Sequence, residues 1–236
     1  MYPSVTKRVA LSAIAAGLRP PGEKLERITE LVHLRKLLEL QSINCVVDVG
    51  ANRGQFATEI RGIGYRGRII SFEPLSSEFG VLGQRFRNDA LWTGHQVALG
   101  DTPGKALLNV IPNLTVMSSI LRPKSKWKSM EVEEVEVRRL DGMASQLFDA
   151  IPEPRVLLKM DTQGFDLRVF EGASGCLDVM RGLQSEIAIV PLYDGMPRYL
   201  EALSVYESKG FGLFNLSVVS RTRGGTLQEL NCMMTR

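Results

Sequence analysis

The stretch VVDVGANRGQFATEI, residues 46–60, constrains the fold more than any other part of the chain. Val46, Val47 and Val49 make a short apolar run of the kind that forms a strand buried on both faces. Gly50 and Gly54 then punctuate a turn, and from Gln55 the apolar residues return at helical spacing. A buried strand that passes through a glycine turn into a helix is a unit of an open α/β sheet. The crevice at the carboxyl end of such a strand is where nucleotide-like ligands are held.

The same alternation continues along the chain. RIISFEP reads as a second apolar strand ending in Glu73 and Pro74, followed by a helix through about Phe86. HQVALGD gives a third strand, opened by His95 and closed by Gly100 and Asp101. KALLNV and EVEEVEVRRL read as strands of an irregular or antiparallel excursion. RVLLKMD is a fully apolar strand ending in Asp161, with a helix from about Phe165, and LQSEIAIVPL is another buried strand. RYLEALSVYESKG is an amphipathic helix ending at Gly210, and GLFNLSVVS and LQELNCMMTR form a terminal hairpin across RTRGG. Ahead of all this, Pro20, Pro21 and Gly22 precede a segment from Glu23 to Leu40 with Leu25, Ile28, Leu31, Val32 and Leu38 at helical spacing, a helix leading into the core. Strands alternating with helices predict an α/β sheet covered on both faces, with residues 1–40 as a helical lead-in and 41–236 as the main domain.

At 236 residues, 44% hydrophobic and 23% charged, the chain has material for one large core. A net charge of +3 is far from the concentrated positive field of a nucleic-acid binder. Cys45, Cys176 and Cys232 are widely spaced and form no CxxC pair, which excludes a disulfide framework or zinc site as the organising principle and fits a reducing, cytoplasmic setting. KRVALSAIAAGL places Lys7 and Arg8 before an apolar stretch much shorter than the roughly 20 residues a membrane span needs. A helix packed on the domain or laid on a membrane surface is expected there rather than a secretion signal. The NLT and NLS triplets at Asn113 and Asn215 carry no weight in a cytosolic protein.

The glycine turn separates two cofactor classes. A dinucleotide fingerprint needs GxGxxG, whereas Gly50-Ala51-Asn52-Arg53-Gly54 supplies only two glycines. Asp48 also puts a carboxylate close to the turn, unwelcome beside a pyrophosphate but suited to a ligand with an ammonium group. S-adenosylmethionine is such a ligand: its carboxylate can accept N–H bonds at the helix start, and an acidic residue ending the second strand, here Glu73, can bind its ribose diol.

Together DVGANRGQF, SFEP, VALGD, MSSI, LLKMDTQGFD and LQSEIAIVPLYDGMP resemble the FkbM family of S-adenosylmethionine-dependent methyltransferases over roughly residues 30–236. The sequence departs from a common family pattern at Gln163 and Asp166, where many members carry Glu. The resemblance implies a Rossmann-like class I methyltransferase, with a seven-stranded, mostly parallel sheet whose last strand is antiparallel. It also implies methylation of hydroxyl groups, often on sugars of glycolipids and polysaccharides or on related metabolites. Asp48, Gly50, Ala51, Asn52, Glu73 and Pro74 would hold the cofactor, with Ala98 and Leu99 beside its adenine. Ser118 and Ser119 match a serine pair of the family and would reach cofactor or acceptor.

Methyl transfer is an in-line displacement, so alignment dominates and a general base assists. The base must lie at the carboxyl ends of the strands. Asp161 is best placed and Glu186 next, with Lys159 either orienting the acceptor or pairing with Glu186. His95 and His33 are poorly placed. Asp161, Asp166, Glu186 and Asp194 are possible magnesium ligands but form no compact motif, so metal dependence is not favoured. Trp127, among Arg122, Lys124, Lys126 and Lys128, would stack on a sugar ring in a mobile acceptor-side loop. Gln163 and Tyr193 complete the expected acceptor set. The partner expected is a small-molecule or glycosylated acceptor, with peripheral membrane contact if that acceptor is lipid-linked. An RNA methyltransferase using the basic loop and a non-catalytic binding protein are the alternatives.

Overall fold

The computed structural model describes residues 22–236. The expectations for KRVALSAIAAGL, Pro20 and Pro21 lie outside the described residues.

The first helix, α1 (Gly22–Leu40), leads into β1 (Cys45–Val49), α2 (Gln55–Gly62), β2 (Arg68–Phe72), α3 (Ser76–Phe86) and β3 (Trp92–His95). An excursion follows, made of β4 (Ala98–Leu99), β5 (Gly104–Val110) and β6 (Glu131–Arg138), and then α4 (Ala144–Phe148). The chain ends with β7 (Val156–Met160), α5 (Asp166–Glu171), β8 (Met180–Ala188), α6 (Tyr199–Ser208), β9 (Gly212–Arg221) and β10 (Leu227–Thr235).

Seven strands form one sheet in the order β3-β2-β1-β7-β8-β10-β9, and β4-β6-β5 form a second, three-stranded sheet. The strands from β3 to β8 are parallel to their neighbours, whereas β10 runs antiparallel to both β8 and β9. The mostly parallel sheet with an antiparallel final strand is thus present, and the excursion expected after Asp101 is the antiparallel β5–β6 pair.

Parallel strands covered on both faces must be apolar on both. The five residues of β1 and of β7 are all buried, and each strand carries one charge, Asp48 and Lys159. The register sets these two opposite each other, so each buried charge meets its counter-ion. One face of the sheet packs Val47, Phe72, Leu158 and Phe170; the other packs Val46, Ile69 and Leu157 under Leu34 and Leu37 of α1 and Ile60 of α2.

Two expectations are corrected. The third strand of the main sheet is WTGH rather than HQVALGD: His95 closes β3, and Ala98–Leu99 leave to pair with β6. Trp92 gives this strand its anchor, stacked on Phe86 at 5.5 Å and donating through Nε1 to Ser71 at 3.1 Å. In α1 the predicted apolar positions Leu25, Ile28 and Val32 are 54–61% exposed. The helix turns Glu30, Leu34 and Leu37 inward together with the expected Leu38, because a polar cluster on the sheet takes up Glu30.

Candidate active site

A cavity of about 260 Å³ opens at the carboxyl ends of the parallel strands, with Gly50, Ala51 and Asn52 along its middle. Gly50 has φ +74°, in the left-handed region, and a Cβ there would lie 2.0 Å from the Asp161 carbonyl oxygen. No side chain fits, so the β1 turn and the chain leaving β7 touch backbone to backbone. Asn52 also has a positive φ, +46°, which turns its backbone N–H to Glu73.

At one end of the cavity stands Glu73, 5% exposed. One carboxylate oxygen accepts from Asn52 N at 2.7 Å and the other from Leu75 N at 2.9 Å. Burial pushes the Glu73 carboxyl up to about 7, against the pull of these two N–H groups and with some help from the Glu78 and Asp48 carboxylates. Around it Pro74, Leu75, Ala98, Leu99, Leu108 and Ile120 form an apolar slot, and Thr115, Val116 and Ser118 close one side.

The other end is polar. Lys159 Nζ lies 3.0 Å from Asp48, 3.6 Å from Asp161 and 5.2 Å from the centre of the Phe56 ring. Burial works against the lysine charge, but Asp48 and Asp161 outweigh it and hold the ammonium above the ordinary lysine range. Removing either partner of the Asp48–Lys159 pair would strand a buried charge, at a cost of about 3–5 kcal/mol. Asp161 lines the cavity with its side chain 40% exposed. Arg27, Gln55, Phe56, Gln184 and Asn231 complete this wall.

A layer behind the wall holds Asp161 in place. Gln163, with φ +52° just before Gly164 at +90°, donates through Nε2 to Asp161 at 3.2 Å and to Glu186 at 3.4 Å. The buried Tyr193 hydroxyl lies 2.9 Å from Gln163 Oε1 and 2.8 Å from the Met117 carbonyl. Ser119, fully buried, donates to the Gln163 carbonyl at 2.8 Å. Burial, then the Asp161 and Glu229 carboxylates, hold Glu186 well above the usual carboxylate range. Asp166 accepts from Thr162 N at 2.9 Å, Ser185 Oγ at 2.8 Å and Glu186 N at 3.1 Å, which commits one oxygen to the chain leading into α5 and the other to β8.

The cavity therefore gathers Gly50, Ala51, Asn52, Glu73, Pro74, Ala98, Leu99, Ser118, Lys159 and Asp161 from the residues singled out in the sequence. It does not gather all of them. Asp48 is fully buried beneath Lys159, and Lys159 pairs with it rather than with Glu186. Glu186, Ser119, Gln163 and Tyr193 stand behind Asp161 instead of lining the cavity, because their polar atoms are spent on one another. Trp127 is half-buried and off the cavity wall, among exposed Arg122, Lys124, Lys126 and Lys128. The start of that segment is tied down rather than free, with Lys124 N donating to the Leu192 carbonyl at 2.9 Å and Asp194 N to the Arg122 carbonyl at 2.8 Å.

His95 comes to the carboxyl edge of the sheet, stacked on Phe72 at 5.0 Å, but its pKa is lowered by burial and it does not line the cavity. Among the described residues no group of three or more acidic, histidine or cysteine side chains is placed to hold a metal ion. No helix among them is long and apolar enough to cross a membrane. The sequence reading missed Arg27, Gln55, Phe56, Gln184 and Asn231 as wall residues. The one signal was local: Gln184 and Glu186 interrupt an otherwise apolar buried strand.

A cavity with an acidic, apolar-walled end and a polar end bearing an accessible carboxylate can hold a ligand with an apolar ring part and a charged part. Methyltransferase sdnD of Sordaria araneosa is 28% identical over 167 residues, 59% of this chain and 64% of that protein, so the match spans less than two thirds of the relative's length. The solved structure of N-methyltransferase NodS from Bradyrhizobium japonicum WM9 is 10% identical, with a TM-score of 0.50 over 92% of this chain and 97% of that one, a likeness of fold. Residues 48–211, more than half of the chain, match the methyltransferase FkbM domain, and the chain belongs to that family of methyltransferases.

Proposed function

We propose that this chain is an S-adenosylmethionine-dependent O-methyltransferase that methylates a hydroxyl of a sugar moiety or a related small-molecule metabolite. The observation that carries the reading is Asp161, a carboxylate exposed to the cavity and held in place by Gln163 and Lys159. The cavity fits the cofactor. Glu73 offers a carboxylate at the apolar end, and Gln184 Oε1 is a buried acceptor without a partner at the other.

When bound, the cofactor supplies a methyl group activated by a sulfonium. The chain's own residues do the rest. Ala98, Leu99 and Leu108 wall off water at the apolar end. Glu73 accepts hydrogen bonds from a ribose diol. Asp161 takes the proton of the acceptor hydroxyl as it attacks, and Gln163 and Lys159 keep that carboxylate aimed. The acceptor, glycosylated or lipid-linked, enters on the Asp161 side.

The test is calorimetric titration with S-adenosylmethionine, followed by a screen of glycosylated acceptors with wild type and Asp161→Asn. Micromolar cofactor binding, and methylation lost in the variant, support the reading. Folded protein that binds the cofactor but methylates only amines or carbon centres overturns the oxygen acceptor, and folded protein that does not bind it overturns the whole.

A further inference from the structure

The polar end of the cavity contains a side-chain cluster centred on a buried carboxylate. Glu30 of α1 is 3% exposed, 154 residues from Gln184 and 201 from Asn231, yet it binds both. One of its oxygens accepts from Gln184 Nε2 at 3.2 Å and from Asn231 Nδ2 at 2.8 Å, and the other from Arg27 at 2.7 Å. A carboxylate only accepts, so it fixes which way each amide faces. The nitrogens turn to Glu30 and the oxygens are left over. Gln184, 3% exposed, lines the cavity with its Oε1 buried and without a partner, and Asn231 lines it beside Gln184.

A buried acceptor without a donor is costly, so a ligand that brings a donor gains accordingly. The formal charges say which donor. Among the described residues, the ion pairs at this end set Glu30, Asp48, Glu59 and Asp161 against Arg27 and Lys159, four negative charges to two positive. A neutral polyol would satisfy the amide oxygens and leave that excess; an ammonium answers both.

We infer that this end receives the α-amino acid part of the cofactor, with the amide oxygens of Gln184 and Asn231 accepting from its ammonium and Glu30 acting as the positioning residue that aims them. Arg27, on the same wall, is already bound to Glu30 and Glu59 and has two further N–H groups to offer the carboxylate. The inference rests on the cofactor reading above and gives α1 a direct part in ligand binding.

Two probes separate the ends of the cavity: S-adenosylhomocysteine, which has the amino acid part, and 5′-methylthioadenosine, which lacks it. Calorimetric titration of wild type is expected to show tighter binding of the first. Gln184→Met and Asn231→Ser should each weaken S-adenosylhomocysteine about tenfold or more while 5′-methylthioadenosine changes less than about twofold. Glu30→Gln, which frees the amides to turn over, should act in the same direction. Equal wild-type affinities for the two probes, or variants that bind S-adenosylhomocysteine as wild type does, overturn the inference. So does a rise in acceptor KM with cofactor affinity unchanged, which would give this end to the acceptor. If a buried substitution abolishes both probes through misfolding, the half-buried Asn231→Ser decides. Wild-type protein that binds neither probe overturns the cofactor reading itself.

Discussion

At the apolar end of the cavity, Glu73 is held by backbone N–H groups of Asn52 and Leu75, no more than 21 residues away in the chain. At the polar end, Glu30 is held by side chains that reach across 154 and 201 residues. The first arrangement depends on local turn geometry and survives most changes of side chain elsewhere. The second exists only when α1, β8 and β10 are all in register. One cavity thus joins an end built by short-range backbone geometry to an end built by tertiary assembly, and the two should respond differently to mutation.

The largest effect that would break this division is catalytic. Asp161→Asn keeps the shape of the polar end and removes the base, so kcat should fall about 10²–10⁴-fold. Cofactor affinity should be nearly unchanged, and a parallel loss in both would mean that Asp161 serves binding rather than proton transfer. Gly50→Ala attacks the junction between the ends: with φ +74° and a Cβ 2.0 Å from the Asp161 carbonyl, it should cost about 3 kcal/mol or more in urea unfolding. A variant as stable as wild type would show that the two backbones can part.

Glu73→Ala sharpens the comparison at the local end, with an expected loss of about 10–100-fold in affinity for S-adenosylmethionine and 5′-methylthioadenosine alike. The smallest effect is in pH. The Glu73 carboxyl sits at about 7, above its ordinary 4.5, and its ionised form is the better acceptor for a ribose diol. Binding therefore releases a proton, and affinity should fall as pH drops below 7, by at most about tenfold per pH unit. Calorimetry across that range checks it; a flat profile that persists in Glu73→Gln would remove the diol contact.

The same division explains what could be read from the sequence. The turn, Glu73 and Asp161 are legible because a buried strand followed by glycine, proline or aspartate marks the end of a parallel strand. The antiparallel excursion was legible from alternation in EVEEVEVRRL. The inward face of α1 was not, since Leu25, Ile28 and Val32 have the spacing of a buried stripe and only the partners of Glu30 decide otherwise. Ser119, Gln163 and Tyr193 illustrate the same limit. Their residue types suggest contact with a substrate, while the distances show them supporting Asp161 from behind.

The strand order carries a consequence for how the site is made during synthesis. β9 leaves the ribosome before β10, yet β10 lies between it and β8, so β9 has no place in the main sheet until the later strand inserts. Asn231 arrives with that insertion, and the polar end closes only then. A nascent chain that already has its glycine turn and Glu73 still lacks one wall, and until that wall arrives β9 is a free edge that must be kept from pairing with other chains.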